Sequence, residues 1–85
     1  MYRLNYRKSA LKCLVRMPRG ERHRVAGTLS RLARDPDEPA LDVRPLQGRD
    51  GYRLRIGRWR VLFQRQDDEL VILVMDVGAR GGIYT

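Results

Sequence analysis

The stretch YRLRIGRWRVLF, from Tyr52 to Phe63, constrains this chain more than any other part of it. Apolar and polar residues alternate with the two-residue period of a half-buried strand on both sides of Gly57-Arg58. Glycine at the first central position of a two-residue loop fits a type II′ turn, whose twist suits a β-hairpin. That turn sets Ile56 opposite Trp59, Arg55 opposite Arg60 and Leu54 opposite Val61. Alternation then gathers Tyr52, Leu54, Ile56, Trp59, Val61 and Phe63 on one face as a core, and sends Arg53, Arg55 and Arg60 to the other.

The rest of the chain is read around this hairpin. Tyr2, Leu4 and Tyr6 alternate with polar residues and predict a short first strand. Ser9 is the expected N-cap of a helix running to about Met17, with Leu11, Leu14 and Val15 on its apolar side. Pro18 and Gly20 interrupt it. A second helix follows to about Arg34, with Val25, Leu29, Leu32 and Ala33 at three- and four-residue spacing. Residues 35–51 hold three of the four prolines and read as a connector. Strands are expected over residues 52–56, 59–66 and 69–76, with Asp67-Asp68 at the second turn. The order is β-α-α-β-β-β in one domain spanning residues 1–85. This is an α+β fold whose N-terminal strand, helical hairpin and three-stranded antiparallel meander place both helices on one face of a four-stranded sheet.

Two arginines directly opposite each other repel, and a fold has no need of the arrangement. Leu62 shares their face, and the last strand adds Val71, Leu73 and Met75 there. A cationic cluster beside an apolar floor describes a groove better than a plain solvated surface. In the tail, Arg80 and Tyr84 follow a buried strand directly, among Gly78, Gly81 and Gly82. Charge points the same way as register. The formal net charge is +8, and residues 1–34 carry ten Lys/Arg against Glu21 alone. Sixteen of the eighteen basic residues are arginines, whose planar fork grips phosphate with paired hydrogen bonds. A small basic domain of this kind attracts polyanions, nucleic acid first.

Other chemistries are poorly served. No run approaches the ~20 apolar residues of a membrane span, and the N-terminus lacks the apolar core of a secretory signal. The expectation is a cytoplasmic protein with no membrane association. Cys13 has no partner for a disulfide and is expected as a small semi-apolar helix residue. His23 sits among arginines and reads as surface. No His/Cys/Asp cluster suggests a metal, so neither metal nor cofactor is expected.

The run from Leu46 to Tyr84 carries L-x-G, Y-R-L-R, a short turn, W-R-V-L-F, an acidic turn, an apolar strand, V-G-x-R and a final tyrosine. This set resembles the C-terminal half of RelE/ParE-family toxins, and with the helical hairpin the resemblance spans essentially the whole chain. It implies a ribosome-dependent mRNA endonuclease that inhibits translation, held in check by a cognate antitoxin in a hetero-oligomer. By position, the cationic site residues of RelE-type toxins fall on Arg53, Arg55, Arg60 and Arg80, and the tyrosine on Tyr84. Register had already grouped three of these. Arg60 and Arg80 suit a phosphate clamp, Arg53 and Arg55 the RNA backbone.

The sequence also departs from that pattern. RelE-like sites often carry lysines where Arg53 and Arg55 stand, and arginine does not give up its proton. Tyr84 is then the candidate base, its pKa lowered by surrounding positive charge, or else a stacking residue. Ala79 stands where relatives often have His or Lys. The resemblance leaves two further readings: a ParE-type poison of DNA gyrase, and an attenuated, non-catalytic member. Ordinary RNA binding without a toxin role would call for more aromatic residues on the arginine face.

Overall fold

The hairpin forms in the register its turn dictates. In the computed structural model, which describes residues 1–79, β3 (Tyr52–Ile56) and β4 (Trp59–Gln66) pair with Ile56 opposite Trp59, Arg55 opposite Arg60 and Leu54 opposite Val61. Gly57 takes φ 58° while Arg58 keeps a negative φ, as a type II′ turn requires. Before the hairpin come β1 (Arg3–Tyr6), α1 (Lys8–Arg16), α2 (Arg19–Arg34) and β2 (Asp42–Pro45). After it, a 3-10 turn at Asp67–Glu69 and a left-handed Leu70 (φ 53°) lead into β5 (Val71–Ala79).

The strands form one sheet in the order β1-β5-β4-β3-β2. The α+β architecture with two helices against the sheet is as expected, but among the described residues the strands number five and not all are antiparallel. The connector contains β2, an edge strand that exists because Asp42, Val43, Arg44 and Pro45 pair with Arg55, Leu54, Arg53 and Tyr52. At the other edge β1 runs parallel to β5, placing Leu4 beside Ile72 and Tyr6 beside Val74.

The core between helices and sheet is built from the expected hairpin residues. Leu54, Val61 and Phe63 are fully buried, and Tyr52 and Trp59 pack against them from the margins. The Tyr52 and Phe63 rings stack at 5.5 Å. Val25, Leu29, Leu32 and Ala33 of α2 close the core from above.

α1 differs from expectation. It packs through Ala10, Cys13 and Leu14, leaving Leu11 and Val15 45% and 67% exposed. A small residue at the contact lets the helix approach the sheet closely, so Ala10 takes the inward position. Because the helix starts at Lys8, Ser9 lies in its first turn and does not cap it. Its hydroxyl instead donates to the Met75 carbonyl at 3.1 Å, pinning α1 to β5.

A β-bulge resets the last strand. Phe63 pairs with Val74 but Leu62 with Asp76, so Met75 is the inserted residue. Alternation breaks there, and the bulge returns Val77 to the core opposite Val61.

Gly51 marks the closest approach of the loop before β3. It has φ 119°, and a Cβ there would lie 3.0 Å from the Phe63 carbonyl oxygen and 3.2 Å from Met75 Cε. Gly51→Ala is therefore expected to cost about 1–3 kcal/mol, since the strained backbone and a rigid carbonyl both resist the added carbon. Thermal denaturation of the variant checks this.

Candidate nucleic-acid interface

Three adjacent strands set charged residues side by side on the sheet face away from the helices. Arg55 of β3 and Arg60 of β4 face each other across the hairpin. Arg53, two residues earlier, lies opposite Leu62 on one side and Arg44 on the other. Register thus brings Arg53, Arg55 and Arg60 together as expected, and β2 adds Arg44 and Asp42.

Asp42 divides the cluster into two kinds of arginine. Its carboxylate accepts a hydrogen bond from Arg53 Nη2 at 3.1 Å and lies 3.9 Å from Arg44 Nε. The Arg53 side chain is only 16% exposed, and its Nε is buried with no partner among the described residues. Arg53 is therefore partly neutralised and held in the sheet. Arg55 is exposed and Arg60 half-buried, and among the described residues neither makes an ion pair. These two are the cations available to a ligand.

Beneath them the apolar residues are more enclosed than a groove floor would be. Leu62, Val71 and Met75 are 2%, 3% and 5% exposed, while Leu73 is half-buried. The loop at Leu46 and Gly51 comes down beside Met75, which only a glycine at residue 51 permits. The result is a cationic surface on a closed apolar base.

Arg80 and Tyr84 lie outside the described residues. Ala79 ends β5 exposed, opposite Trp59, and Gly78 lies opposite Arg60, so no cross-strand side chain stands beside the Arg60 guanidinium from β5. Sequence reasoning missed Asp42 and Arg44. The signal was present in the alternation of Leu41 and Val43, which face the core, with Asp42 and Arg44, which are exposed.

Several other acids are committed elsewhere. Arg65 of β4 binds Asp37 at 2.7 Å and Asp67 at 3.1 Å, and Tyr2 donates its hydroxyl to Asp67 at 3.0 Å. This ties the segment after α2 to the sheet. Glu21 of α2 accepts from Arg58 Nε at 2.9 Å and from Trp59 Nε1 at 3.0 Å. Hydrogen bonds from Arg65 hold the Asp37 carboxyl below its usual range, and those from Arg58 and then Trp59 do the same for Glu21. Cys13 is half-buried against the core, and burial pushes its thiol up. His23 is exposed on α2. Among the described residues no three His, Cys, Asp or Glu side chains group as metal ligands would, and no helix is long and apolar enough to cross a membrane.

A pH dependence follows with a definite sign. A carboxylate whose pKa is lower folded than unfolded stabilises the fold fully above its unfolded pKa, and that stabilisation is lost as pH falls through the folded value. Stability is expected to decline below about pH 4. Asp37→Asn and Glu21→Gln should each flatten the decline in melts recorded between about pH 2 and 7.

A surface of this chemistry can grip consecutive phosphates with guanidinium forks and leave a sugar between them. Comparison with known proteins places the chain among toxins of toxin–antitoxin systems. The family model described as "ParE toxin of type II toxin-antitoxin system, parDE" matches residues 4–84. An Escherichia coli protein described as a RelE-like toxin is 27% identical over 79 residues, covering 93% of this chain and 83% of its own. The RelE–RelB complex of Pyrococcus horikoshii contains a chain with a TM-score of 0.81 and 28% identity, over 95% of this chain and 97% of that one. The isolated Escherichia coli RelE toxin gives 0.77 and 25%, over 99% and 92%.

Proposed function

The chain belongs to the ParE toxin family of type II toxin–antitoxin systems, and from that premise we propose that it is a cytoplasmic, ribosome-dependent mRNA endonuclease restrained by a cognate antitoxin. One toxin domain covers residues 1–85 in this reading. The observation that supports it most is the pairing of Arg55 with Arg60 on the sheet face the helices leave free. Packing gains nothing from two opposed guanidiniums, whereas an RNA phosphate does.

The chemistry suited to this site uses the RNA's own 2′-hydroxyl. Its oxygen attacks the adjacent phosphorus in line, the bond from phosphorus to the 5′-oxygen breaks, the departing oxygen takes a proton from water, and a 2′,3′-cyclic phosphate and a 5′-hydroxyl remain. Arg60 and Arg80 neutralise charge building on the phosphate oxygens. Arg55 holds the chain upstream or downstream of the scissile bond, and Arg53, tethered by Asp42, sets the shape of the surface more than its charge. Tyr84 takes the 2′-hydroxyl proton or stacks on a base, and Tyr84→Phe separates the two: an unchanged cleavage rate removes the base role.

The test is to add the purified protein to a ribosome-programmed translation reaction and map messenger ends by primer extension. Cleavage within the ribosomal A site is the expected result. Intact messenger with folded protein overturns it. The ParE name of the matched family favours one second reading, poisoning of DNA gyrase. Gyrase-dependent DNA breaks, with messenger intact, would establish that reading instead.

A further inference from the structure

Glu21 is the only acidic residue among the first 34, and it is spent on the tip of the hairpin. Its carboxylate receives Arg58 Nε at 2.9 Å, Arg58 Nη2 at 3.2 Å and Trp59 Nε1 at 3.0 Å. The Arg58 guanidinium lies 4.8 Å from the centre of the Trp59 ring. Arg24, nearly one turn further along α2, sits under the turn itself, with Nη1 3.0 Å from where a Cβ on Gly57 would be. The last turn residue and the first residue of β4 are thus gripped by one side chain from the first turn of α2.

The tip needs such a grip. Four guanidiniums, those of Arg24, Arg55, Arg58 and Arg60, belong to it or border it. Arg55 and Arg60 directly oppose each other, which pushes the strands apart. β2 pairs with β3 only as far as Arg55, so Ile56 and the turn project past the end of β2. From the helix layer, the hydrogen bonds to the turn among the described residues come from Glu21. Trp59, which Glu21 holds by its ring nitrogen, immediately precedes Arg60 in the chain.

We infer that Glu21 is a positioning residue, the α2 carboxylate that holds the hairpin tip and so fixes where Arg60 stands relative to Arg55. The inference rests on the reading of this face as the RNA-cleaving site. Its consequence is a separation of binding from turnover. Removing the carboxylate makes the protein more cationic, so RNA binding does not weaken. The arginine geometry loosens, and rate constants are sensitive to misplacements of about 1 Å.

Single-turnover cleavage on programmed ribosomes, at varied toxin concentration, separates the two quantities. Glu21→Ala is expected to lower kcat by about 10- to 100-fold with KM unchanged or lower. Glu21→Asp keeps the charge at the helix N-terminus but is one methylene too short to reach both partners, and behaves like the alanine variant. Glu21→Gln keeps the acceptor oxygen and recovers much of the rate. Trp59→Phe removes the ring N–H and lowers kcat with Glu21 intact. Trp59 is the single tryptophan, so its emission reports the contact directly. It should shift in the Ala and Asp variants and return toward wild type in Gln, at melting temperatures that keep all variants folded.

Full kcat in Glu21→Asp would mean that charge at the helix end suffices, and overturns the inference. So does a rise in KM at constant kcat, or activity lost only in proportion to unfolded protein. A silent wild type overturns the RNA-cleaving reading and this inference with it. An active wild type beside an unaffected Glu21→Ala overturns this inference alone.

Discussion

Arg60→Ala is expected to slow messenger cleavage by about 100- to 1000-fold while leaving the fold intact. Removing one preorganised donor from a site where charge develops typically has an effect of about that size. Arg60 fits the role because its backbone is fixed on both sides: Trp59 and Val61 pack toward the core, and β5 pairs with it at Gly78. The stability change should be small, within about 0.5 kcal/mol, because relief from Arg55 offsets the lost side-chain packing. Arg60→Lys keeps the charge but not the fork, and should recover only part of the rate. Arg53→Ala makes a contrast. Its guanidinium is bound to Asp42, so truncation should disturb β2 pairing and melting temperature more than turnover. Single-turnover rates beside thermal melts separate the two patterns, and a wild-type rate in Arg60→Ala would remove this arginine from the site.

Phe63→Ala is the corresponding expectation for the core. Phe63 is fully buried and stacked on Tyr52, and its strand partner Val74 is fully buried as well. Truncation of such a residue removes about 3–5 kcal/mol, from lost transfer energy and the cavity left behind. A domain this small has a total stability near the lower end of about 5–15 kcal/mol. The variant should be largely unfolded at 37 °C, or fold only when bound to its antitoxin, since a partner that binds only the folded state stabilises it. Circular dichroism melts of the free chain and of the complex would show this. A cooperative melt of the free variant near the wild-type temperature would contradict it.

What could be read from the sequence was what short-range chemistry determines. Gly57 and the alternation from Tyr52 to Phe63 set the hairpin, because turn type and pleat period act on neighbours. The same arithmetic placed Arg53, Arg55 and Arg60 on one face. β2 was not legible in the same way. Four residues ending in Pro45 have little strand character alone, and their conformation comes from pairing with β3. α1 was misread because its apolar residues, Ala10, Leu11, Cys13, Leu14 and Val15, occupy one wide arc of the helix, and which part of that arc faces inward depends on how the helix lies on the sheet. The Met75 bulge and the Arg53–Asp42 bond are likewise products of tertiary contact. Arg80 and Tyr84 rest on the family pattern.

β2 has a consequence for life in a crowded cell. It is the outermost strand on its side, and an outermost strand offers unpaired amides and carbonyls to any passing chain. Here Pro45 supplies no amide hydrogen, and the exposed Asp42 and Arg44 make the strip short and charged. At the opposite border β1 has four residues, with Arg3 and Asn5 outward. Neither margin offers a long apolar edge for another strand to join, so strand-to-strand polymerisation through these edges is disfavoured.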